Sequence, residues 1–479
     1  MLPMSHMLRV LDTDLSSTLN IVAMRFLLLT ALMSVHLLVP QQQSPLHWTP
    51  CANGAECTTL TVPVDWERPG GVTTTLALAR RKATGPRIGT LLVNPGGPGL
   101  SGVETATKAD SFSGRLRERF DVVGFDPRGI KGSTRVACAP APAAALPRDE
   151  REFGELLASN RKARAGCADP LASHLNAETM ARDVEAIRVA LGGEPLNWYG
   201  TSYGTEIGQR YAELFPRHIR TMVLDAAIDR SSSAVAHLLS ASADAEDGFE
   251  HFAHWCGHNA DCPLHGQDVT AAFDEVVRRA SEKPLLLNGF VMTAENVREF
   301  TYGQLYAPEK GWPTLAWIIA ALRDAPPATQ GPPPAPALDL GVLGAICQNW
   351  EYVVRDHSHL KRILDSAAMR APHLRVAATP VHRLTQCVGL RATDAPHPLR
   401  VHGAPPILVV NSKRDPITPH SGAAEVSRQL PGSVLLTYAG DGHTTYPRSA
   451  CVRDHVDSYL VSEALPANGM SCPDTMEST

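Results

Sequence analysis

The chain has 479 residues, of which 44% are hydrophobic and 19% are charged. This composition is that of a globular protein and excludes the disordered and fibrous classes. The net charge is −5, and no run of basic residues points to nucleic-acid binding. The length predicts either one large domain with an insertion or two to three domains.

The first element along the chain is an apolar stretch at residues 24–39. Arg25 supplies a positive charge, and the run from Phe26 to Val39 has the length of a signal-peptide core and is short for a membrane span. We therefore interpret residues 1–44 as an N-terminal extension with a signal peptide, and Met24 as the true start. The protein is expected to be secreted, with no stable membrane insertion after cleavage. An uncleaved membrane anchor or a buried apolar segment is the alternative, and attachment at the cell surface is left open.

The ten cysteines fit an exported protein, because an even count in that setting favours disulfides. Buried free thiols are the alternative. No paired CxxC motifs occur, so no zinc site is predicted, and no other metal or cofactor is expected. Pairing each cysteine with its neighbour in the sequence predicts the disulfides Cys51–Cys57, Cys138–Cys167, Cys256–Cys262, Cys347–Cys387 and Cys451–Cys472.

Strands and helices alternate through residues 45–228, which predicts a mostly parallel sheet with helices on both faces. The apolar patterns predict helices at 177–193 and 205–216. They predict strands at 59–66, 73–83, 88–97, 119–129, 196–204 and 219–227.

Residues 229–400 change to a helical period and form a predicted cap insertion. Within it, the proline-rich residues 325–337 are expected to be an exposed loop. The strand pattern returns at 404–416 and 433–443, and a closing helix follows at 451–462. Residues 401–479 therefore complete one α/β core that the insertion interrupts.

The stretch WYGTSYG contains the pattern G-x-S-x-G, with Ser202 at its centre between a predicted strand and a predicted helix. That context is the one a nucleophile elbow requires. A serine hydroxyl needs a base and an orienting acid. Asp415 and His443 follow later strands in the order typical of α/β hydrolases, and the ends of parallel strands share one edge of the sheet.

Three other carboxylates compete with Asp415 for the role of the acid. Asp225 also follows a strand and is the second choice. Asp126 follows a strand as well, and both residues can simply brace turns. Asp441 is close to His443 in sequence but is less well placed than Asp415.

The loop NPGGPGLSG, residues 94–102, follows a predicted strand and is rich in glycine. An acyl-transfer intermediate needs two fixed backbone N–H donors for its oxyanion, and we assign these to Gly97 and Tyr203. A phosphate-binding loop is the alternative, but the spacing and lysine of that motif are absent.

Five motifs of the chain, taken together and in this order, resemble the secreted tripeptidyl-aminopeptidase group of α/β hydrolases, which are relatives of proline iminopeptidases. The motifs are LLVNPGGPGLSG, RFDVVGFDPRG, NWYGTSYGTEIGQRYAELFP, SKRDPITP and GDGHTTY. The resemblance covers the chain from about residue 45 and makes residues 401–479 TAP-like. It implies an exported serine exopeptidase with disulfides, the triad Ser202, Asp415 and His443, and peptide substrates. Lys131 and Asn349 depart from the pattern and put the contacts with substrate in doubt.

An aminopeptidase must recognise a charged α-amino group, and carboxylates of the insertion can do so. Glu351, Glu246 and Glu250 are the candidates, although each can equally be a solvated helix residue. The insertion also carries four aromatic residues that either line a pocket or pack between helices, namely Trp312, Trp317, Trp350 and Tyr352. The alternative function keeps the same chemistry on esters or small amides, whereas a binding protein would not need the complete triad.

Overall fold

The computed structural model describes residues 46–141, 143, 145–333 and 337–476. The predicted signal peptide lies outside the described residues. The strands are β1 (Thr49–Pro50), β2 (Glu56–Pro63), β3 (Thr73–Arg81), β4 (Gly89–Asn94), β5 (Phe120–Phe125), β6 (Leu196–Thr201), β7 (Ile219–Asp225), β8 (Leu285–Leu287), β9 (Phe290–Met292), β10 (Leu408–Arg414), β11 (Val434–Asp441) and β12 (Ser471–Cys472).

Helices follow most of these strands, and three short 3₁₀ turns lie at Ala52–Gly54, Pro170–Ser173 and Pro216–His218. The helices are α1 (Gly102–Thr107), α2 (Gly114–Arg119), α3 (Glu150–Ala165), α4 (Ala177–Ala190), α5 (Tyr203–Leu214), α6 (Ala234–His258), α7 (Val269–Glu282), α8 (Ala294–Gln304), α9 (Pro308–Asp324), α10 (Leu340–Cys347), α11 (His357–Ala368), α12 (Ala378–Cys387), α13 (His420–Gln429) and α14 (Ala450–Ser462).

Ten strands form one sheet in the order β1-β2-β3-β5-β4-β6-β7-β10-β11-β12. The first three pairings are antiparallel, and every pairing from β5 to β12 is parallel. The strands β6, β7, β10 and β11 are therefore successive parallel neighbours. Their carboxyl ends lie on one edge of the sheet, where the loops that follow them come together.

Both faces of this sheet are covered, as the predicted alternation of strands and helices requires. Neighbouring residues of a strand belong to opposite cores: Trp198 packs with one apolar cluster and Tyr199 with the other. The same alternation holds for Val409 and Val410 on β10. The predicted fold class, a mostly parallel sheet between helices, is confirmed.

The segment predicted as a cap contributes no strand to the large sheet among its described residues. It contains the helices α6 to α12 and a small hairpin, β8–β9, that the periodicity did not predict. The expectation of an exposed loop at 325–337 was partly wrong. Ala325 and Ala328 are buried, and Pro327 forms a β-bridge with Leu285, because this stretch packs against the hairpin.

The structure contains five disulfides, and they are the five neighbour pairs predicted from the sequence. Cys347–Cys387 joins the ends of α10 and α12 within the cap, and Cys451–Cys472 joins α14 to β12 at the sheet edge. Among the described residues, no helix combines the length and apolar character needed to cross a membrane.

Candidate active site

Ser202 occupies a sharp turn between β6 and α5. Its backbone has φ 53° and ψ −121°, a conformation that is strained for any residue with a side chain. The Ser202 N–H donates to the carbonyl oxygen of Asp225 at 3.0 Å, and α5 begins at the next residue. The side chain is 6% exposed. The predicted strand–turn–helix context of Ser202 is therefore present.

Glycines at three positions allow the chain to pack tightly around this turn. A Cβ on Gly204 would lie 2.6 Å from the carbonyl oxygen of Asn94, and one on Gly200 would lie 2.6 Å from that of Gly204. A Cβ on Gly96 would collide with the Thr201 carbonyl. The glycine loop after β4 and the turn at Ser202 are thus in direct backbone contact.

Asp415 and His443 meet at the ends of β10 and β11. Nδ1 of His443 lies 2.9 Å from Oδ2 of Asp415 and 3.1 Å from Oδ1. Asp415 is fully buried and also accepts from the N–H groups of Ile417 and Thr418 and from the Thr418 hydroxyl. These donors fix the position of the carboxylate, which in turn orients the imidazole through Nδ1.

The loop that carries His443 is held by Asp225, the second-choice acid of the sequence analysis. Its buried carboxylate accepts from the Tyr199 hydroxyl at 2.7 Å, from the N–H and hydroxyl of Thr445, and from the N–H of Tyr446. Four donors leave this carboxylate no free oxygen for a histidine. Asp225 thus connects the turn at Ser202 with the histidine loop.

The other two rival acids are also occupied. Asp126 accepts from the Ser101 hydroxyl at 2.6 Å and from the N–H of Gly132 at 2.9 Å, so it braces the loops next to β5. Asp441 pairs with Arg414 at 2.8 Å and with His251 at 2.6 Å. Asp415 is the carboxylate that contacts His443.

Gly97 and Tyr203 lie on the two backbone segments that meet at Ser202. Gly97 has φ 108°, and the Cβ that Gly96 lacks would lie 2.9 Å from the Tyr203 nitrogen. Tyr203 is the first residue of α5, where backbone N–H groups lack partners within the helix. The N–H group of Tyr203 is therefore available to a developing oxyanion.

Arg383, on cap helix α12, was not predicted from the sequence. Its guanidinium donates to the Gly97 carbonyl oxygen at 3.2 Å, so a side chain of the cap contacts the glycine loop of the core. Its position depends on the orientation of α12 over the sheet, and helical periodicity carries no information about that orientation.

The three predicted amine-binding carboxylates differ in their surroundings. Glu246 is buried and accepts from the backbone N–H groups of His373 and Leu374, which engages it in holding a cap loop. Glu250 and Glu351 are exposed. Of the four cap aromatics, Trp317 is exposed, whereas the other three are buried in apolar clusters.

Glu206 is a buried carboxylate that the sequence analysis missed. It lies four residues after Ser202 on α5 and is 1% exposed. Its Oε1 is 3.4 Å from Nε1 of Trp350, a residue of the cap. The available signal was the i, i+4 spacing, which places Glu206 on the same side of the helix as the nucleophile turn.

Asp244, on cap helix α6, accepts a hydrogen bond from the N–H of His420 at 3.3 Å. Burial raises the pKa of Asp244 to about 7, and the negative charge of Asp415 contributes to the rise. The side chain of Asp244 therefore ionises near neutral pH, and the charge of Asp415 influences this ionisation.

The Asp244→Asn variant is expected to be more stable than the wild type at pH 8. The unfolded chain ionises Asp244 near its ordinary pKa, whereas the folded chain resists ionisation up to about pH 7. The wild type therefore loses stability as pH rises from about 4 to 7. Urea unfolding should give the variant a gain of about 1–3 kcal/mol at pH 8 that disappears at pH 4. An equal difference at both pH values would contradict this assignment.

The fold and the site together define an α/β hydrolase. The sheet is mostly parallel and lies between helices, a serine turn follows β6, and an acid–histidine pair follows β10 and β11.

A family model described as TAP-like protein matches residues 374–472. A solved hydrolase structure from Pseudomonas aeruginosa aligns with a TM-score of 0.37 and 13% identity, covering 88% of this chain and 99% of that one.

Three curated relatives align over most of the chain. Serine protease Hip1 of Mycobacterium tuberculosis is 31% identical, covering 90% of this chain and 92% of that protein. A tripeptidyl aminopeptidase of Streptomyces lividans is 30% identical, covering 89% and 86%. A protein of Mycobacterium tuberculosis named carboxylesterase B is 31% identical, covering 87% and 86%. The chain belongs to this TAP-like family and is a serine hydrolase.

Proposed function

We propose that the protein is a secreted serine exopeptidase that cleaves peptides near their free N-terminus through an acyl-enzyme. The observation that carries the proposal is the 2.9 Å contact between His443 Nδ1 and the buried Asp415 carboxylate, on the sheet edge where Ser202 forms its strained turn. The relatives named serine protease and tripeptidyl aminopeptidase support a peptide substrate. The five disulfides support an oxidising, extracellular location.

In this mechanism, His443 accepts the Ser202 proton as the hydroxyl oxygen attacks the scissile carbonyl. Asp415 keeps the proton of His443 on Nδ1 and stabilises the imidazolium that forms. The N–H groups of Gly97 and Tyr203 donate to the oxyanion. His443 then gives its proton to the leaving amine as the C–N bond breaks. Water, activated by His443, hydrolyses the acyl-enzyme and restores the serine.

The substitutions Asp415→Asn and Asp225→Asn should have different effects. Asp415→Asn is expected to lower kcat by about 10⁴-fold, because the imidazole loses its orienting anion. Asp225→Asn is expected to lower the free energy of unfolding by roughly 2–3 kcal/mol, because an amide cannot accept from all four donors. Turnover of a peptide anilide and urea unfolding measure the two effects. A larger loss of kcat in Asp225→Asn than in Asp415→Asn would reverse the assignment of the acid.

A substrate panel tests the exopeptidase specificity. Peptide 4-nitroanilides with a free N-terminus are expected to have a higher kcat/KM than the same peptides after acetylation, and Ser202→Ala should abolish both activities. The relative named carboxylesterase B makes ester hydrolysis the second candidate function. Faster turnover of simple esters or of acetylated peptides by the wild type would favour that candidate and refute the exopeptidase.

A further inference from the structure

Glu206 has a carboxylate oxygen without a hydrogen-bond donor in a fully buried position. The residue is 1% exposed, and no group of the described residues donates to Oε2. The other oxygen, Oε1, has only the long 3.4 Å contact with the Trp350 indole. A buried carboxylate without donors is costly, so such a group indicates either strain or an absent partner.

The cation nearest to Glu206 does not satisfy it. Nε of Arg230 is 3.9 Å from Oε2, beyond hydrogen-bonding distance. The two terminal nitrogens of Arg230 each donate to Asp394 at 3.0 Å, one to the carboxylate and one to the backbone carbonyl. Asp394 therefore already neutralises this guanidinium, and Nε of Arg230 also has no acceptor among the described residues.

Glu206 lies beside a larger ionic cluster whose other carboxylates are paired. The carboxylates Glu178, Glu213 and Asp394 are matched by the guanidiniums of Arg182, Arg210 and Arg230 through contacts of 2.5–3.3 Å. Arg383 also acts on Glu206 electrostatically, but its hydrogen bond goes to the Gly97 carbonyl. Glu206 Oε2 therefore lacks a hydrogen-bond donor even though cations lie near it.

The unpartnered oxygen belongs to a side chain that links the nucleophile helix to the segment predicted as a cap. Glu206 follows Ser202 by one helical turn, its indole contact comes from the cap, and Tyr203 on the same helix offers the candidate oxyanion N–H. Burial raises the pKa of Glu206, and the charges of Arg230 and Arg383 oppose that rise. An ammonium group at Oε2 would offset the cost of the buried charge.

We propose that Glu206 is the specificity-determining residue that binds the protonated α-amino group of the peptide substrate through its unpartnered Oε2. This inference rests on the proposed exopeptidase function. In this proposal, a residue of the nucleophile helix recognises the amine, and the glutamates of the cap do not. An ammonium supplies N–H donors, which Oε2 lacks, and a positive charge that makes such a hydrogen bond to a carboxylate strong.

The test compares the wild type, Glu206→Gln, Glu206→Asp and the matched control Glu213→Gln. Glu213 lies two helical turns further along α5, and its carboxylate is bonded to Arg210 at 2.5 Å. The readout is the ratio of kcat/KM for a tripeptide 4-nitroanilide with a free N-terminus to that for its acetylated form. Melting temperature is measured for each variant.

Glu206→Gln is expected to lower this ratio by about 10- to 100-fold, mainly through KM, because a charge-assisted hydrogen bond to the ammonium is lost. The melting temperature should not fall, because Oε2 has no partner to lose. Glu206→Asp keeps the charge and should retain part of the preference. Glu213→Gln should lower the melting temperature and leave the ratio unchanged, since its carboxylate has partners of its own.

An unchanged ratio in Glu206→Gln, while the wild type prefers free peptides, would overturn this inference and leave the proposed function intact. A lower melting temperature, with equal losses on free and acetylated peptides, would also overturn it and make Glu206 a structural partner of Arg230. Glu206→Asp serves as the second variant if Glu206→Gln does not fold. If Glu206→Asp has a lowered melting temperature but the same ratio of kcat/KM for free and acetylated peptides as the wild type, the inference is overturned in the same way. A wild type without any preference for free N-termini would refute the exopeptidase itself.

Discussion

The candidate site depends on the buried residue Asp225 at the end of β7. Its backbone carbonyl accepts from the N–H of Ser202, and its carboxylate accepts from Thr445 and Tyr446, which closely follow His443. One residue therefore fixes both the turn that carries the nucleophile and the loop that carries the base. Asp225 can make both connections because β7 lies between β6, which leads to Ser202, and β10.

The remaining parts of the site are positioned relative to this connection. The glycines at 96, 200 and 204 allow the loop after β4 to touch the serine turn. On the other side, Asp415 is fixed by donors from its own loop and orients His443. The cap reaches this arrangement through Arg383 and Trp350, which contact Gly97 and Glu206.

The sequence predicted most strands of the large sheet, the helices after two of them and the turn at Ser202, because these features depend on local periodicity and on turn residues. It also predicted the five disulfides, since each joins neighbouring cysteines. It did not predict Arg383 or Glu206. Their roles arise where two distant segments meet, and periodicity within a helix does not reveal which cap residue will lie above it. The prediction of an exposed loop at 325–337 was partly wrong for the same reason, because Leu285, which pairs with Pro327, is far away in sequence.

Every step of the proposed mechanism requires Ser202 to be the nucleophile of a functional triad. The most direct measurement is to treat the folded protein with a fluorophosphonate and to locate the adduct by mass spectrometry of its peptides. We expect a single adduct on the peptide that contains Ser202, absent from a folded Ser202→Ala variant. No adduct on the folded wild type, or an adduct that persists in Ser202→Ala, would contradict the assignment.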